Sequence, residues 1–528
     1  MNDARNRLVV GDLVRLGARR SPDRIAVKMR AGREVSYALL DERTDRLANA
    51  LLGLGLARGD RVGAWLGDSI EYVELYLALA KAGLIMVPVN ARVRTTEAAH
   101  PLSDAGVRAL FFDGTIAGDV TELDCLDGVE LVAVDGAEAE VDARSYEALL
   151  AAGAPVAPPG PDPDDTYIIG YTSGTTGKPK GAMLTHRSVL ALARLNAISY
   201  HLPLNSTAAL TGSMSFVATV PAHFITHLLL GGTLVIMGRW DVESLIDTVE
   251  RERANFTYVP SPLIADFCEV ARRDTARWSS LESVLHSASR AAPEKLRLLA
   301  EVVGGRFVEG LGMTENSGGL ITATTRADVE GETQAKDLFS SAGRAVAESA
   351  VKLLDPETGE PAPHDGETIA ELAISSPALM DGYWHLPEAT AKALVDGWYR
   401  TGDLASIDPA GYVYIAERRT DLIVSGGMNV YPTEVEDLIR TMDGVADVAV
   451  VGLPHERWGQ SVVAAVILEP GVTLEADAVI EYCRLGLATY KKPTSVRFLE
   501  SLPRTASLKV RRSEVRKLLE AEVGTGAR

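Results

Sequence analysis

The sequence predicts an α/β protein in which a large N-terminal domain carries parallel-type sheets flanked by helices, and a small α+β domain follows it. Three observations support this fold class. Strand-like and helix-like runs alternate over the first 150 residues, the alternation resumes after a proline-rich stretch, and short strand-like runs replace it from about residue 370. Alternating strands and helices are typical of layered folds with parallel pairing.

The first elements are apolar runs separated by turns. Arg61–Leu66 is strand-like, Ser69–Gly83 has apolar residues at helical spacing, and Ile85–Val89 is strand-like again. Ala109–Phe112 and Leu131–Val134 repeat the strand pattern. Short apolar runs bounded by turns indicate buried strands, so these segments predict strands with a helix between the first two.

A linker interrupts this alternation. Ala154–Asp165 is proline-rich and acidic, and it cannot continue a helix or a central strand, so it predicts a surface connection. The α/β pattern resumes at Thr166–Tyr171, Thr233–Met237 and Phe256–Val259. These runs extend the large domain well beyond the linker.

A smaller α+β pattern follows Asp421. Val445–Val451 and Val462–Leu468 are strand-like, whereas Glu475–Leu487 and Arg512–Val523 are helix-like. We therefore predict a boundary near Arg419–Asp421. The predicted domains are residues 1–419 and 420–528.

The composition excludes some partners. The 528 residues carry a formal net charge of -19. A dense negative surface repels phosphate backbones, so we expect neither nucleic acid nor an anionic membrane as a partner. The three cysteines lack metal-ligand spacing, the N-terminus lacks an apolar signal segment, and no apolar run is long enough to cross a bilayer. We therefore expect a cytoplasmic protein without a transmembrane segment.

A glycine- and hydroxyl-rich segment stands out in the large domain. Tyr167–Gly181 reads YIIGYTSGTTGKPKG. Its glycines let backbone N–H groups approach a ligand, its hydroxyls add donors and its lysines add positive charge, which together suit a polyphosphate. A flexible surface turn is the alternative that composition leaves open. The candidate nucleotide-binding residues are Thr172, Ser173, Gly174, Thr175, Thr176, Gly177, Lys178 and Lys180.

This segment is not a Walker loop, because Thr172 and Pro179 stand where that motif needs Gly and Ser or Thr. The string TSGTTGKPKG instead resembles the phosphate loop of the adenylate-forming superfamily, which includes acyl-CoA synthetases, luciferases and peptide-synthetase adenylation domains. The resemblance covers roughly residues 10–518. Later segments that resemble further motifs of the superfamily, in the expected order, are Gly312–Glu315 (GMTE), Gly397–Leu404 (GWYRTGDL), Arg418–Ile423 (RRTDLI), Ser425–Glu436 (SGGMNVYPTEVE) and Pro503–Arg511 (PRTASLKVR).

The resemblance implies roles for several polar residues. Glu315 is similar to the Mg²⁺ ligand, a role that suits a carboxylate beside phosphate oxygens, and Thr314 would contact the α-phosphate. Asp403 resembles the acid that accepts hydrogen bonds from both ribose hydroxyls, with Arg418 donating on the ribose side. Without the resemblance, Glu315 and Arg418 would be ordinary solvated residues. The segment that loosely resembles the adenine wall is Ser287, Ala288, Ser289 and Arg290.

Lys509 resembles the lysine of the final motif, which bridges the carboxylate and the α-phosphate during adenylation. An ammonium in that place stabilises the negative charge that develops in the displacement. A solvated basic tail helix is the alternative, but the spacing between Pro503 and Lys509 favours the motif.

The resemblance also implies that the C-terminal domain is mobile and rotates after adenylation to open a path for the thiol of coenzyme A. Thr420 stands at the hinge position, where relatives often carry Asp or Lys. Gly426 and Gly427 would line the thiol tunnel because they have no side chain. Trp458 lies in a segment that resembles the coenzyme A-contacting part of aryl-CoA ligases and is predicted to stack on adenine. A Trp that fills the small domain's core is the alternative.

The predicted acyl pocket departs from the family pattern in two places. Leu311 stands where many relatives carry an aromatic residue, and the pair Phe216–Val217 lacks the histidine that many relatives have. Both departures predict a changed pocket, and they leave aromatic, alicyclic and aliphatic acids open as substrates. The candidate lining residues are Phe216, Val217, Ala218, Pro260, Gly310, Leu311 and Gly312.

Two histidines at helical spacing form a possible metal motif. His223 and His227 lie four residues apart and would share a helical face. A zinc protease would carry Glu after the first His, where this chain has Phe224. Packing or pocket lining is therefore the favoured interpretation.

These motifs predict an ATP-dependent carboxylate–coenzyme A ligase that uses ATP, Mg²⁺ and coenzyme A. It would adenylate an organic acid with release of pyrophosphate and then pass the acyl group to coenzyme A. One alternative is transfer to an amine or to a carrier-protein thiol. Another alternative is a non-catalytic nucleotide-binding relative. It is disfavoured because the chain retains all four residues with implied catalytic or binding roles, which are Glu315, Asp403, Arg418 and Lys509. A homodimer is an expectation at the level of the family only.

Overall fold

The computed structural model describes residues 7–30, 32–136, 141–172, 179–287, 291–331, 335–418, 421–425, 428–455, 458–505 and 509–525. Its element order confirms the α/β class, with a large N-terminal part and a small C-terminal part. Two largely parallel sheets build most of the large part. The predicted change of texture near residue 370 corresponds to an antiparallel sheet, because strands there follow one another through short turns.

The first sheet carries the predicted phosphate loop. Its strands are β3 (Arg61–Trp65), β4 (Ile85–Val89), β5 (Ala109–Phe112), β6 (Glu130–Ala133), β7 (Arg144–Ser145), β8 (Thr166–Thr172), β9 (Lys180–Thr185) and β20 (Gly382–Tyr383). They run in the order β20-β9-β8-β4-β3-β5-β6-β7. Pairing is parallel from β8 to β7 and antiparallel at the edge formed by β8, β9 and β20.

The second sheet lies behind the predicted acyl pocket. Its strands are β1 (Ile25–Met29), β2 (Glu34–Ser36), β10 (Thr207–Leu210), β11 (Thr233–Ile236), β12 (Phe256–Tyr258), β13 (Ser283–His286) and β14 (Phe307–Glu309). The order is β14-β13-β12-β10-β11-β1-β2, and pairing is parallel except between β1 and β2. The carboxyl ends of its parallel strands therefore gather at one edge, where ligands bind in open α/β sheets.

The antiparallel sheet and the small part complete the chain. A short pair joins β15 (Thr322–Ala323) and β16 (Arg344–Ala345). The antiparallel sheet contains β17 (Ala350–Leu354), β18 (Pro361–Ala362), β19 (Ala370–Ser375), β21 (Leu394–Val395), β22 (Trp398–Ile407) and β23 (Val413–Arg418). The C-terminal sheet contains β24 (Ile423–Ser425), β25 (Met428–Val430), β26 (Val445–His455), β27 (Gly459–Leu468) and β28 (Ser495–Phe498).

Helices cover both faces of the parallel sheets and both faces of the C-terminal sheet. They are α1 (Asp12–Arg20), α2 (Tyr37–Gly53), α3 (Ile70–Ala82), α4 (Thr95–Ala105), α5 (Ala117–Thr121), α6 (Tyr146–Ala152), α7 (His186–Ser199), α8 (Thr226–Leu229), α9 (Val242–Glu252), α10 (Ile264–Arg273), α11 (Pro293–Val303), α12 (Arg326–Glu330), α13 (Pro387–Ala393), α14 (Pro432–Arg440), α15 (Ala476–Gly486) and α16 (Arg512–Thr525). No helix within the described residues is long and apolar enough to cross a membrane.

Helix α3 shows how local sequence sets these elements. The Ser69 hydroxyl accepts a hydrogen bond from the Tyr72 N–H (3.2 Å), and Gly83 ends the helix with a φ of +70°. Every residue of the helix is buried. Its Glu74 is held by Arg43 (2.6 Å) and by the Tyr146 hydroxyl, because a buried carboxylate needs partners.

Candidate active site

The predicted phosphate loop joins two antiparallel strands. Tyr171 pairs with Gly181, and Thr172 pairs with Lys180, whose carbonyl accepts from the Thr172 hydroxyl at 3.4 Å. The predicted ligands Ser173, Gly174, Thr175, Thr176, Gly177 and Lys178 lie outside the described residues.

A glycine in β8 lets two other site segments reach the hairpin. A Cβ on Gly170 would lie 2.6 Å from Val217 Cγ2 and 2.9 Å from Thr314 Cγ2. Only a residue without a side chain tolerates both neighbours. The strand that leads to the phosphate loop is thus packed directly against a predicted pocket residue and the predicted α-phosphate contact.

Glu315 lies on a short 3₁₀ turn, Thr314–Asn316, beside this hairpin. The Tyr383 hydroxyl donates to Glu315 Oε1 at 3.0 Å and lies 3.1 Å from the Tyr399 hydroxyl. Burial and the neighbouring Glu315 carboxylate raise the pKa of Tyr399 far above its usual range. The Lys180 ammonium lies 5.0 Å from the centre of the Tyr383 ring. Lys180 and Glu315 therefore flank Tyr383, a cation and an anion at the edge of the phosphate loop.

Asp403 lies in an irregular part of β22. The strand bulges between its pairing with Glu371 and with Ala373 on β19, and Gly402 has a φ of +73°. The Asp403 N–H donates to the Thr401 hydroxyl at 3.0 Å, and the residue is only 7% exposed. Arg418 is its cross-strand partner in β23, and only its backbone is described. The predicted ribose pair is thus adjacent in the sheet, and bulges of this kind commonly re-aim a side chain.

The predicted adenine wall and Pro260 follow neighbouring strands of the second sheet. Ser287 follows β13, and its carbonyl accepts from the Tyr258 hydroxyl at 3.3 Å. Burial raises the pKa of Tyr258 to about 12. Pro260 follows β12 and is half-buried. Ala288, Ser289 and Arg290 lie outside the described residues.

The other pocket candidates approach one another through close backbone contacts. A Cβ on Gly318 (φ +83°) would lie 2.7 Å from backbone atoms of Val217 and Ala218. A Cβ on Gly310 would lie 1.9 Å from the Thr322 carbonyl oxygen. The half-buried members of the set are Phe216, Ala218, Leu311 and Gly312. The glycines thus allow the segment after β14 to pack against the Val217 segment.

The histidine pair is packed in the core. His223 lies on a π-helix, Val220–Ile225, and its carbonyl accepts from His227 Nδ1 at 2.7 Å. Their rings lie 5.0 and 5.3 Å from the Phe256 ring. Burial lowers the pKa of His223 to about 3 and that of His227 to about 4. Within the described residues no group of three or more His, Cys, Asp and Glu side chains could hold a metal ion.

Lys509 lies on a strand-like bridge of the small domain. Arg504 pairs with Val510, and the Thr505 N–H donates to the Lys509 carbonyl at 2.7 Å. The Lys509 residue is exposed. Two residues further on, Arg511 Nη2 donates to Glu97 Oε1 on α4 at 2.5 Å. This contact brings the lysine segment to the helix that borders the phosphate-loop hairpin.

The remaining small-domain candidates have mixed outcomes. Thr420, Gly426 and Gly427 lie outside the described residues. Trp458 is 40% exposed and stacks on His455 with ring centres 4.5 Å apart. The alternative of a core-filling Trp458 is therefore wrong, and its ring is accessible to a ligand.

Sequence reasoning missed two tyrosines and one helix of this site. Tyr383 and Tyr399 contact Glu315 or each other, although Tyr399 stands inside the quoted GWYRTGDL segment. On α4, the His100 Nε2–H donates to the Pro179 carbonyl at 2.9 Å, directly beside the loop. The position of Tyr399 inside the quoted GWYRTGDL segment was the available signal for it, whereas Tyr383 and His100 carried none.

Relatives of this chain include named coenzyme A ligases. It is 35% identical over 503 residues to a feruloyl-CoA synthase from Amycolatopsis sp, which covers 95% of this chain and 97% of that protein. It is 34% identical over 492 residues to an indoleacetate–CoA ligase from Aromatoleum aromaticum, covering 92% and 94% of the two chains. Both alignments span the large and the small part.

Solved structures with the same fold include MatB from Rhodopseudomonas palustris. The ATP-bound form of that protein matches with a TM-score of 0.84 at 27% identity, covering 97% of this chain and 99% of that one. Its apo form matches with a TM-score of 0.74 at the same identity and coverage. The overall arrangement here is thus closer to the ATP-bound form.

Two family descriptions account for most of the chain. Residues 14–384 match the AMP-binding enzyme family, and residues 434–509 match the AMP-binding enzyme C-terminal domain. The first match contains the phosphate-loop hairpin and Glu315, and the second ends at Lys509. The superfamily predicted from the motifs is confirmed: this chain belongs to the family of AMP-binding enzymes.

Proposed function

We propose that this protein is an ATP-dependent carboxylate–coenzyme A ligase. A carboxylate oxygen of the acid attacks the α-phosphorus of ATP, the bond to the bridging oxygen breaks, and pyrophosphate leaves with the electron pair. The thiol of coenzyme A then attacks the acyl carbonyl, AMP leaves with its oxygen, and the thiol proton passes to solvent. Catalysis of this kind rests on positioning and on charge stabilisation.

The observation that carries this proposal is the cluster of Lys180, Tyr383 and Glu315 beside the phosphate-loop hairpin. Tyr383 separates the cation from the anion, with its hydroxyl on the carboxylate and its ring beneath the ammonium. Thr314 packs against the same hairpin through Gly170. This arrangement supports Thr314 as the α-phosphate contact and Lys180 as a counter-charge for phosphate.

The chemistry of the site fits Mg²⁺. Glu315 supplies a hard oxygen ligand, and the described residues contain no larger set of metal-binding side chains. Mg²⁺ is commonly held by one or two carboxylates together with substrate phosphates. When bound, the ion would neutralise phosphate charge and polarise the α-phosphorus. Tyr383 would fix the orientation of the carboxylate that holds it.

We assign the ribose to a cross-strand pair of the antiparallel sheet and the adenine to the segment that follows β13. We propose that Asp403 accepts from the ribose hydroxyls and that Arg418, its cross-strand partner, donates nearby. Ser287 to Arg290 would form the adenine wall at the end of β13. Lys509 would supply the ammonium that bridges the two reacting groups, carried in by the small domain, which we place at residues 420–528 with Thr420 as its hinge.

Coenzyme A is favoured over other acceptors by the exposed Trp458 ring and by the names of the two relatives. Gly426 and Gly427 would line the thiol path. Both relatives are named for acids that carry an aromatic ring, so we propose aromatic acids as the first class to test. The cytoplasmic location and a homodimer stay predictions.

Pyrophosphate release over a library of carboxylic acids, without any thiol, tests the first step. We expect release with at least one aromatic acid, and subsequent addition of coenzyme A should yield an acyl thioester and AMP. Parallel reactions with an amine panel and a phosphopantetheinylated carrier protein separate the alternatives. No acid-dependent release across the library would refute the ligase, and an amide product alone would reassign the acceptor.

A further inference from the structure

An ion pair joins the lysine segment of the small domain to helix α4 of the large domain. Arg511 Nη2 lies 2.5 Å from Glu97 Oε1, and Arg511 Nη1 lies 2.8 Å from Glu514 Oε1 in its own domain. The side chains of Arg511 and Glu97 are 31% and 37% exposed. The hydrogen bond from Arg511 lowers the pKa of the Glu97 carboxyl, in agreement with its ionised state.

Helix α4 is in turn braced against the phosphate-loop hairpin. His100 donates to the Pro179 carbonyl at 2.9 Å, and the Tyr171 hydroxyl donates to Asp104 at 2.7 Å. Pro179 and Tyr171 stand on either side of the loop. The helix therefore contacts the phosphate-loop hairpin through His100 and Asp104, and Arg511 through Glu97 in its first turn.

We propose that Glu97 and Arg511 form a docking pair that holds the small domain in the orientation that presents Lys509 to the nucleotide. Lys509 lies two residues before Arg511 on the same bridged segment, so a contact made by Arg511 fixes where the lysine lies. The whole chain matches the ATP-bound form of MatB with a TM-score of 0.84 and the apo form with a TM-score of 0.74. The assignment rests on the proposed function, since it requires an adenylation step that uses Lys509.

The modest strength of the pair suits a contact that must open. An ion pair that is partly exposed shifts an equilibrium by only about two- to fivefold. Such a pair would favour the adenylation orientation without preventing the small domain from leaving for the thiol step. Glu97 and Arg511 are thus positioning residues: they act through Lys509 and touch neither substrate.

A double-mutant cycle measured in both half-reactions tests this inference. The variants are Glu97→Gln, Arg511→Gln and the double variant. Glutamine at position 97 retains the capping of α4, where Glu97 Oε2 accepts from the Arg94 N–H at 3.2 Å. Glu514→Gln is the matched control, because it removes the other carboxylate of Arg511 and leaves the interdomain contact in place.

Each single variant should lower acid-dependent ATP–pyrophosphate exchange by about two- to fivefold, and the double variant should be no slower than the slower single variant. Thioester formation from supplied acyl-AMP and coenzyme A should be unchanged or faster, and Glu514→Gln should change neither rate. Equal losses in both half-reactions, additive losses in the cycle, or unchanged exchange would overturn the docking role while the ligase stands. An unsubstituted protein without any exchange would instead overturn the ligase and the docking role with it.

Discussion

The two sides of the candidate site are built differently. On the large domain, Glu315 is held by the Tyr383 hydroxyl and by the Met380 N–H, which donates to its carbonyl at 2.7 Å. On the small domain, Lys509 is exposed beside the Arg504–Val510 bridge, and its segment contacts the large domain through a partly exposed ion pair. Packed and hydrogen-bonded groups open rarely, whereas exposed segments open at low cost. The difference indicates a fixed nucleotide platform and a lysine that can be withdrawn.

The largest loss of adenylation should follow from a substitution in the small domain, which carries the lysine that can be withdrawn. Lys509→Ala should lower adenylation by roughly 10³-fold, because it removes a preorganised charge from the transition state. Thioester formation from supplied acyl-AMP should be retained. Pyrophosphate exchange and thioester assays measure the two steps separately, and Lys517→Ala, an exposed lysine on α16, is the control. Equal loss of both steps would remove the distinction between the two sides.

For a substitution in the nucleotide platform of the large domain, the loss of adenylation should depend on the Mg²⁺ concentration. Glu315→Gln should lower adenylation by roughly 10²-fold at a low Mg²⁺ concentration, since it removes a charged ligand of the ion that polarises the phosphate. Chelation should abolish adenylation by the unsubstituted protein. A titration of Mg²⁺ should show a higher midpoint for the variant. An unchanged midpoint would mean that Glu315 does not hold the ion.

A smaller change in the Mg²⁺ dependence should follow from removing the hydrogen bond that orients the Glu315 carboxylate. Tyr383→Phe removes the hydroxyl that donates to Glu315 and keeps the ring beside Lys180, so the Mg²⁺ midpoint should rise by about tenfold. Tyr414→Phe is the matched control, because the Tyr414 hydroxyl donates to Asp408, which belongs to a different cluster. A similar rise in both variants would indicate a general loss of stability.

The smallest expected effect on activity comes from the buried histidine pair, which should affect stability only. Because burial lowers the pKa of His223 to about 3 and that of His227 to about 4, both are neutral in the folded protein. Their stabilising contribution is complete above the unfolded pKa of about 6.5 and is lost as the pH falls towards the folded values. Chemical unfolding between pH 7 and pH 5 should show this slope, and His227→Leu should reduce it. An identical slope in both proteins would contradict the assignment.

Local patterns predicted the strands of the first sheet well and the contacts of the site less well. Ile85–Val89 and Ala109–Phe112 were predicted with the bounds that the structure has, because each is an apolar run between turn residues. The pairing of the strands around β22 was not predicted, although strand-like runs were expected from about residue 370, since the register depends on contacts between strands that are distant in sequence.

The predicted site residues that the structure describes include several that lie around one hairpin, among them Lys180, Thr314, Glu315 and Val217. Tyr383 escaped prediction because its relation to Glu315 arises only when β20 pairs with β9. The role of Glu97 was not predicted either, because its partner Arg511 lies in the other domain and the contact forms only in the folded chain. Motifs identified the reacting groups, whereas the groups that orient them depend on tertiary contacts.

Hydrogen exchange followed by mass spectrometry tests the central contrast most directly. Amides of Arg504–Arg511 and of the first turn of α4 should be more protected with ATP than with acyl-AMP and coenzyme A. Amides of β8, β9 and Thr314–Asn316 should be equally protected in both states. Parallel changes on the two sides, or no change at Arg504–Arg511, would contradict a fixed platform served by a withdrawable lysine.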